Sequence, residues 1–276
     1  MRKFLMNYSE YISVTGFLII NFILVDFVEY NLLIMNLIYV IVLCIEKYLL
    51  YLPIDKSINN SFKTCSFEDA IKIINEYLPF MSNQFKKIYS FDLLLFENLI
   101  KPTKKSINEY IELLNNFPNS YNQIGNTSEV YFSCLLINDM ENAEMLFEKI
   151  MLLIERKKTK TNLFRKKRLI VLKSIFSKDI NKNEDGIFEC YVPYFDIDNE
   201  YQKTRTKYLL GIYYNKRKDY KNRNENFEYV LEHGKNIYLK KLAAEYIKEK
   251  SKINWSLFNF FLNGEKKWKL LLLNIG

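Results

Sequence analysis

The stretch Tyr11 to Ile45, YISVTGFLIINFILVDFVEYNLLIMNLIYVIVLCI, carries only two charged residues, Asp26 and Glu29, near its middle. A single helix through all of it would hold both acids inside a bilayer, at roughly 2.5–3.5 kcal/mol each. A turn at about Asp26–Asn31 sets them at a water interface instead. The stretch therefore reads as a two-helix transmembrane hairpin within residues 1–52, with helices over about 8–28 and 31–52. Tyr11–Val28 is 18 residues and Asn31–Leu52 is 22. At ~1.5 Å per residue they span about 27 and 33 Å, which suits a hydrocarbon core of ~30 Å. Lys47 can snorkel to the headgroups, and Tyr48 and Tyr51 suit an aromatic belt. Asn21 and Asn36 are candidates for contact between helices in the membrane. A buried hairpin in a soluble protein is the competing reading. A cleaved leader is not expected, since Asn21 and Asp26 interrupt the apolar run and no small-x-small site follows.

Basic residues in the short flanks set the orientation. Arg2 and Lys3 precede the hairpin, Lys47, Lys56, Lys63 and Lys72 follow it, and the turn has none. Both termini are expected on the cytoplasmic side of the cell membrane. The richness in Lys, Asn, Ile and Tyr fits an AT-rich bacterial genome.

Residues 53–65 are polar, with Pro53, Asp55, Ser57, Asn59 and Asn60, and read as a linker. Residues 66–276 read as a cytoplasmic helical domain. Gly and Pro number only 7 and 5 in 276 residues, which favours helices over a turn-rich β fold. Ser66 caps a helix ending near Tyr77, and another spans about 83–100. Helices follow over 107–116, from Thr127 or Ser128 to Ile137, over 141–156 and over 162–178. The remainder places helices at 199–216, 222–232, 236–250 and about 254–273. Asp198 or Asn199 caps the first of these, and His233, before Gly234, can meet the last carbonyls of the second. The whole is all-α, a membrane hairpin followed by antiparallel helix pairs.

One pair has a specific pattern. Tyr208-Leu209-Leu210-Gly211-Ile212-Tyr213-Tyr214, then Lys218-Asp219-Tyr220, then Phe227, resembles a tetratricopeptide repeat. Leu210, Gly211, Tyr214, Asp219, Tyr220 and Phe227 fit the family's positions, and Arg223 stands where that family places a small alanine. A second copy runs through Tyr131–Ile150, with the turn at Asn138-Asp139-Met140 and Ala143 and Phe147 following; Tyr131 replaces the glycine. The turns lie 80 residues apart, not a multiple of the ~34-residue family period, so the intervening pair is expected to be irregular. The resemblance implies an irregular α-solenoid with a surface that binds protein or peptide, and it implies no catalysis.

The cysteines Cys44, Cys65, Cys134 and Cys190 have no metal-binding spacing, and His233 is the single histidine. They read as free thiols, with no metal, no cofactor and no catalytic residue expected. Asp196-Ile-Asp198-Asn-Glu200 lacks the glycine and distal glutamate of a calcium loop.

The sharpest feature after the hairpin is Arg156, Lys157, Lys158, Lys160, Arg165, Lys166, Lys167 and Arg168, eight basic residues with no acid among them. The chain's formal net charge is +8, so the other 32 basic residues balance the 32 acids. A solvated helix junction, contact with anionic lipid and nucleic-acid binding compete here. Nucleic acid is not expected, because no motif for it is present. Trp255, Phe258, Phe260, Phe261 and Trp268 either cap the helical stack or dip into the bilayer interface.

The function expected is a non-enzymatic, membrane-anchored helical-repeat scaffold that binds a protein or peptide at the cytoplasmic face. The alternative is an accessory or immunity subunit of a membrane transport or peptide-export complex.

Overall fold

The computed structural model describes residues 15–16, 32–116, 123–156, 159–177, 186–191 and 199–248; of 32–39 and 42–49 it describes the backbone alone. The first hairpin helix, the turn at Asp26–Asn31 and the aromatic C-terminal segment lie outside these residues. Among the described residues all regular structure is helical. The chain divides into two compact units, 1–169 and 170–276, where one domain was expected over 66–276. The division falls inside a helix, Lys160–Phe176, whose N-terminal half carries Lys160, Arg165, Lys166, Lys167 and Arg168 of the basic run; its buried apolar series starts at Leu169.

In the first unit α1, Leu32–Thr64, is an unbroken helix of 33 residues. The expected linker over 53–65 is thus helical. Proline in a helix interior removes one hydrogen bond, yet the helix continues through Pro53. Periodicity explains why. Tyr51, Ile54, Ile58, Phe62 and Cys65 recur at intervals of three and four, and Tyr51, Ile54 and Cys65 are buried. Lys56, Asn59, Asn60 and Lys63 are exposed to solvent. Among the described residues no helix is long and apolar enough to cross a membrane.

Helices α2 (Glu68–Tyr77), α3 (Asn83–Ile100), α4 (Lys104–Asn116), α5 (Gln123–Leu136) and α6 (Met140–Arg156) follow. They form successive pairs with α1 leading: α1 with α2, α3 with α4, α5 with α6. The second helices start at Glu68, Lys104 and Met140, 36 residues apart each time. Hydrogen bonds between successive first helices, and between successive second helices, recur at a separation of 34 residues: Tyr89 to Asp55, Asn126 to Asp92, Asn142 to Asn108 and Lys149 to Asn115. A core of rings joins α1 to α3, with Phe62, Phe67 and Phe96 at centroid distances of 5.1–5.7 Å.

Two caps differ from expectation. The residue before α2 is Phe67, with no side-chain cap bond, because the Ser66 amide instead closes the end of α1 onto the Ser61 carbonyl at 3.1 Å. Thr127 lies inside α5, buried, with its hydroxyl 3.2 Å from that of Tyr110. Helix α4 starts before residue 107 because Thr103 and Ser106 cap each other's amides at 3.1 and 3.2 Å. Ser106 also donates to the buried Asn98 side chain at 2.8 Å, which fixes α4 on α3.

The second unit holds the end of α7 (Lys160–Phe176), α8 (Gly186–Cys190), α9 (Glu200–Lys216), α10 (Tyr220–His233) and α11 (238–248). Asn199 caps α9 by accepting from the Gln202 amide at 3.0 Å. Ten residues of α9 are buried, all round the helix, so it is the core of this unit. The His233 ring lies against Tyr229 with its Nδ1 3.0 Å from the Tyr229 carbonyl, at the end of α10.

Candidate functional site

A groove of about 1180 Å³ runs along α1 from Leu52 to Lys63. Its facing wall is α3, through Phe85, Ile88, Tyr89 and Asp92, with Asn126 of α5 at one side. The wall is fixed by stacking: Tyr51 lies 4.0 Å from Phe85 and 5.8 Å from Tyr89, ring to ring.

Two carboxylates face into it. Asp55 accepts from the Tyr89 hydroxyl at 2.8 Å, and Asp92 accepts from the Asn126 amide at 3.1 Å. Burial pushes the Asp92 carboxyl up to about 6; the Asn126 bond opposes this and the Asp55 charge adds to it. The Tyr89 phenol is raised far above its usual value by burial first, then by its bond to Asp55. Each carboxylate takes its bond from a neutral donor. A carboxylate has about four acceptor sites, so both can accept further bonds from a cationic or amide donor. Lys56 and Lys63 are exposed at the groove. The linker reading of 53–65 hides Asp55, and with it the groove. The available signal was the repeated separation of 34 between Asp55 and Tyr89 and between Asp92 and Asn126.

The repeat-motif residues sit elsewhere. Gly211 faces Phe227, and a Cβ on Gly211 would come within 2.6 Å of Phe227 Cδ1 and 2.8 Å of its Cζ. Leu210 and Phe227 are buried, while Tyr214 is half-buried beside Phe188 and Tyr213. Asp219 caps α10, accepting from the Asn222 amide at 3.2 Å and side chain at 2.6 Å. Those bonds hold its carboxyl below the usual range. Tyr220, the first residue of α10, is exposed, with the Arg223 guanidinium 4.9 Å over its ring. Asp139 accepts from Asn142 at 2.8 Å, Ala143 is buried, and Phe147 lies 5.8 Å from Tyr131.

The basic run occupies the α6–α7 junction. Arg156, Lys160 and Lys167 are exposed, Arg165, Lys166 and Arg168 are half-buried, and Lys166 lies 3.9 Å from Glu155. Lys157 and Lys158 lie outside the described residues, as do Asp196 and Asp198. Thr159 caps α7 through the Asn162 amide at 3.1 Å. Cys65, Cys134 and Cys190 are buried and not joined by a disulfide, and burial pushes the Cys134 thiol up to about 12. Among the described residues no three His, Cys, Asp or Glu side chains cluster to hold a metal ion. No protein-family model, no curated protein and no solved structure matches the chain.

Proposed function

We propose that this chain is a membrane-anchored, tetratricopeptide-like helical scaffold that binds a protein or peptide segment in the groove along α1 and catalyses no reaction. The observation that carries the reading is the groove itself. Its volume of about 1180 Å³ and its mixture of rings, aliphatic side chains and two carboxylates suit a peptide. Stacked helix pairs present such surfaces through their first helices, and α1, α3 and α5 line this one. Anchoring rests on the sequence from Tyr11 to Ile45, whose second half forms the start of α1. In this reading both termini are cytoplasmic and the basic run 156–168 meets anionic headgroups.

Two measurements test it. The full chain should stay in the membrane pellet after an alkaline wash; release into the supernatant defeats the anchor. In a cysteine-free background, an impermeant thiol reagent should label Tyr30→Cys from outside intact cells and leave Asn59→Cys untouched. Labelling of Asn59→Cys from outside would invert the orientation.

A further inference from the structure

The groove and the apolar stretch share one helix. Helix α1 is unbroken from Leu32 to Thr64, and the groove begins at Leu52, where the expected second membrane helix ends. At ~1.5 Å per residue the groove's α1 wall lies within about 16 Å of that end, measured along the axis. A segment reaching it must run close to the bilayer surface. The groove is lined by Asp55 and Asp92, both partly buried, and by Lys56 and Lys63, which are exposed to solvent. Segments that flank transmembrane helices on the cytoplasmic side carry an excess of Lys and Arg, which complements the aspartate pair. Phe85 and Ile88 offer apolar surface to the stems of such residues.

We infer that the groove receives the basic cytoplasmic segment flanking a transmembrane helix of another membrane protein, with Asp55 and Asp92 accepting from its Lys or Arg side chains. This rests on the anchored, groove-binding reading above and adds the chemistry of the partner. The environment of Asp92 supports it. Burial disfavours its charged form, so a cation arriving beside it relieves that penalty. Facing Asp92 are Asp55 from α1, Tyr89 from its own helix, Tyr110 from α4 and the uncharged amide of Asn126 from α5. The chain as a whole carries +8, so a preference for a basic peptide has to arise locally.

The test uses the full chain in phosphatidylcholine nanodiscs and two labelled peptides. One alternates lysine and leucine; its twin has glutamate for each lysine. The basic peptide should bind about tenfold tighter than its twin or better, a difference of about 1.4 kcal/mol. Asp55→Asn with Asp92→Asn should erase the preference without changing the helical circular dichroism, and Asp55→Glu should retain it. Binding should weaken as pH falls through about 6, where Asp92 takes up its proton. An acyl chain that anchors the basic peptide in the disc should strengthen binding by raising its effective concentration. Equal binding of the two peptides, or an unchanged preference in the double variant, overturns the charge assignment. Binding that anchoring abolishes overturns the juxtamembrane placement. If the chain washes out of membranes while the double variant still loses the basic peptide, the anchor has failed and the charge recognition has not.

Discussion

The pairs α5/α6 and α9/α10 close on the same turn and pack by different means. At Asn138 and Lys218 the backbone enters the left-handed region, with φ of 57° and 60°. The next amide, Asp139 or Asp219, then reaches back to the carbonyl of Cys134 or Tyr214 at 2.9 or 3.0 Å. Each aspartate captures the asparagine three residues on, Asn142 or Asn222. Beyond the turn the likeness ends. In α9/α10 the bare face of Gly211 admits the ring of Phe227, which is fully buried. In α5/α6 the corresponding residue is Tyr131, whose ring meets Phe147 at 5.8 Å. The small residue in this first pair is Ala143, on the second helix. Its counterpart Arg223 is buried, and its guanidinium reaches Asn215 at 3.0 Å and Asn224 at 2.9 and 3.1 Å. The turn is thus set by local backbone chemistry, while the packing behind it is set by which helix supplies the space.

Exchanging the space-filling residues should break the comparison most sharply. Tyr131→Gly removes a buried ring and adds a helix-interior glycine, a loss of about 4 kcal/mol. Gly211→Leu drives a side chain into Phe227, at about 3 kcal/mol. Amide hydrogen exchange on the full chain reads the two pairs separately. The first change should speed exchange over 123–156 and the second over 200–233. Unchanged exchange over 123–156 in Tyr131→Gly would mean that the first pair does not depend on its ring.

A smaller effect separates the two residues at the alanine position. Arg223→Ala strips the partners from Asn215 and Asn224 and removes the stem packed beneath the guanidinium. The side chains of Asn215 and Asn224 are half-buried and can turn to water, so the loss should be about 1 kcal/mol. Gly211→Leu in the Arg223→Ala background tests whether the two sites share one packing problem. Additive losses in exchange protection would show that Arg223 is accommodated independently of the Gly211 contact.

The same contrast explains how much was legible in advance. Helix α3 was readable to the residue because Pro79 and Pro102 bracket its apolar face at Phe91, Leu95 and Leu99. The Asn199 cap and the Asp219 turn were readable because a short polar side chain beside a helical period has few other uses. The groove was not readable. Pro53 and the polar run after it outweighed the three-and-four spacing of Tyr51, Ile54, Ile58 and Phe62. Asp55 reads as part of the linker and Asp92 carries no signal of its own, because their partners Tyr89 and Asn126 are brought to them only by the stacking of one pair on the next. Thr127 failed for a related reason: a hydroxyl suits a cap as well as a buried bond, and Tyr110, which decides between them, lies 17 residues away.

The finest test of the likeness lies in the turn residues themselves. A left-handed backbone costs an ordinary L-residue roughly 1–2 kcal/mol, whereas Asn tolerates it and Gly takes it up freely. Lys218 and Asn138 occupy nearly the same conformation, and both side chains are exposed. Neither therefore contributes much through packing. Lys218→Gly should relieve the strain while losing some stability to the greater freedom of glycine in the unfolded chain, a net gain of about 0.5 kcal/mol. Asn138→Gly meets the same entropic loss with little strain to relieve, so it should be neutral or slightly destabilising. Exchange protection of the amides that follow each turn, at the starts of α10 and α6, measures both. Equal responses would mean that the two turns are not strained to different degrees. A gain confined to Lys218→Gly would show that the second turn holds its shape against the preference of its own residue, kept there by the Asp219 cap and the Gly211–Phe227 contact behind it.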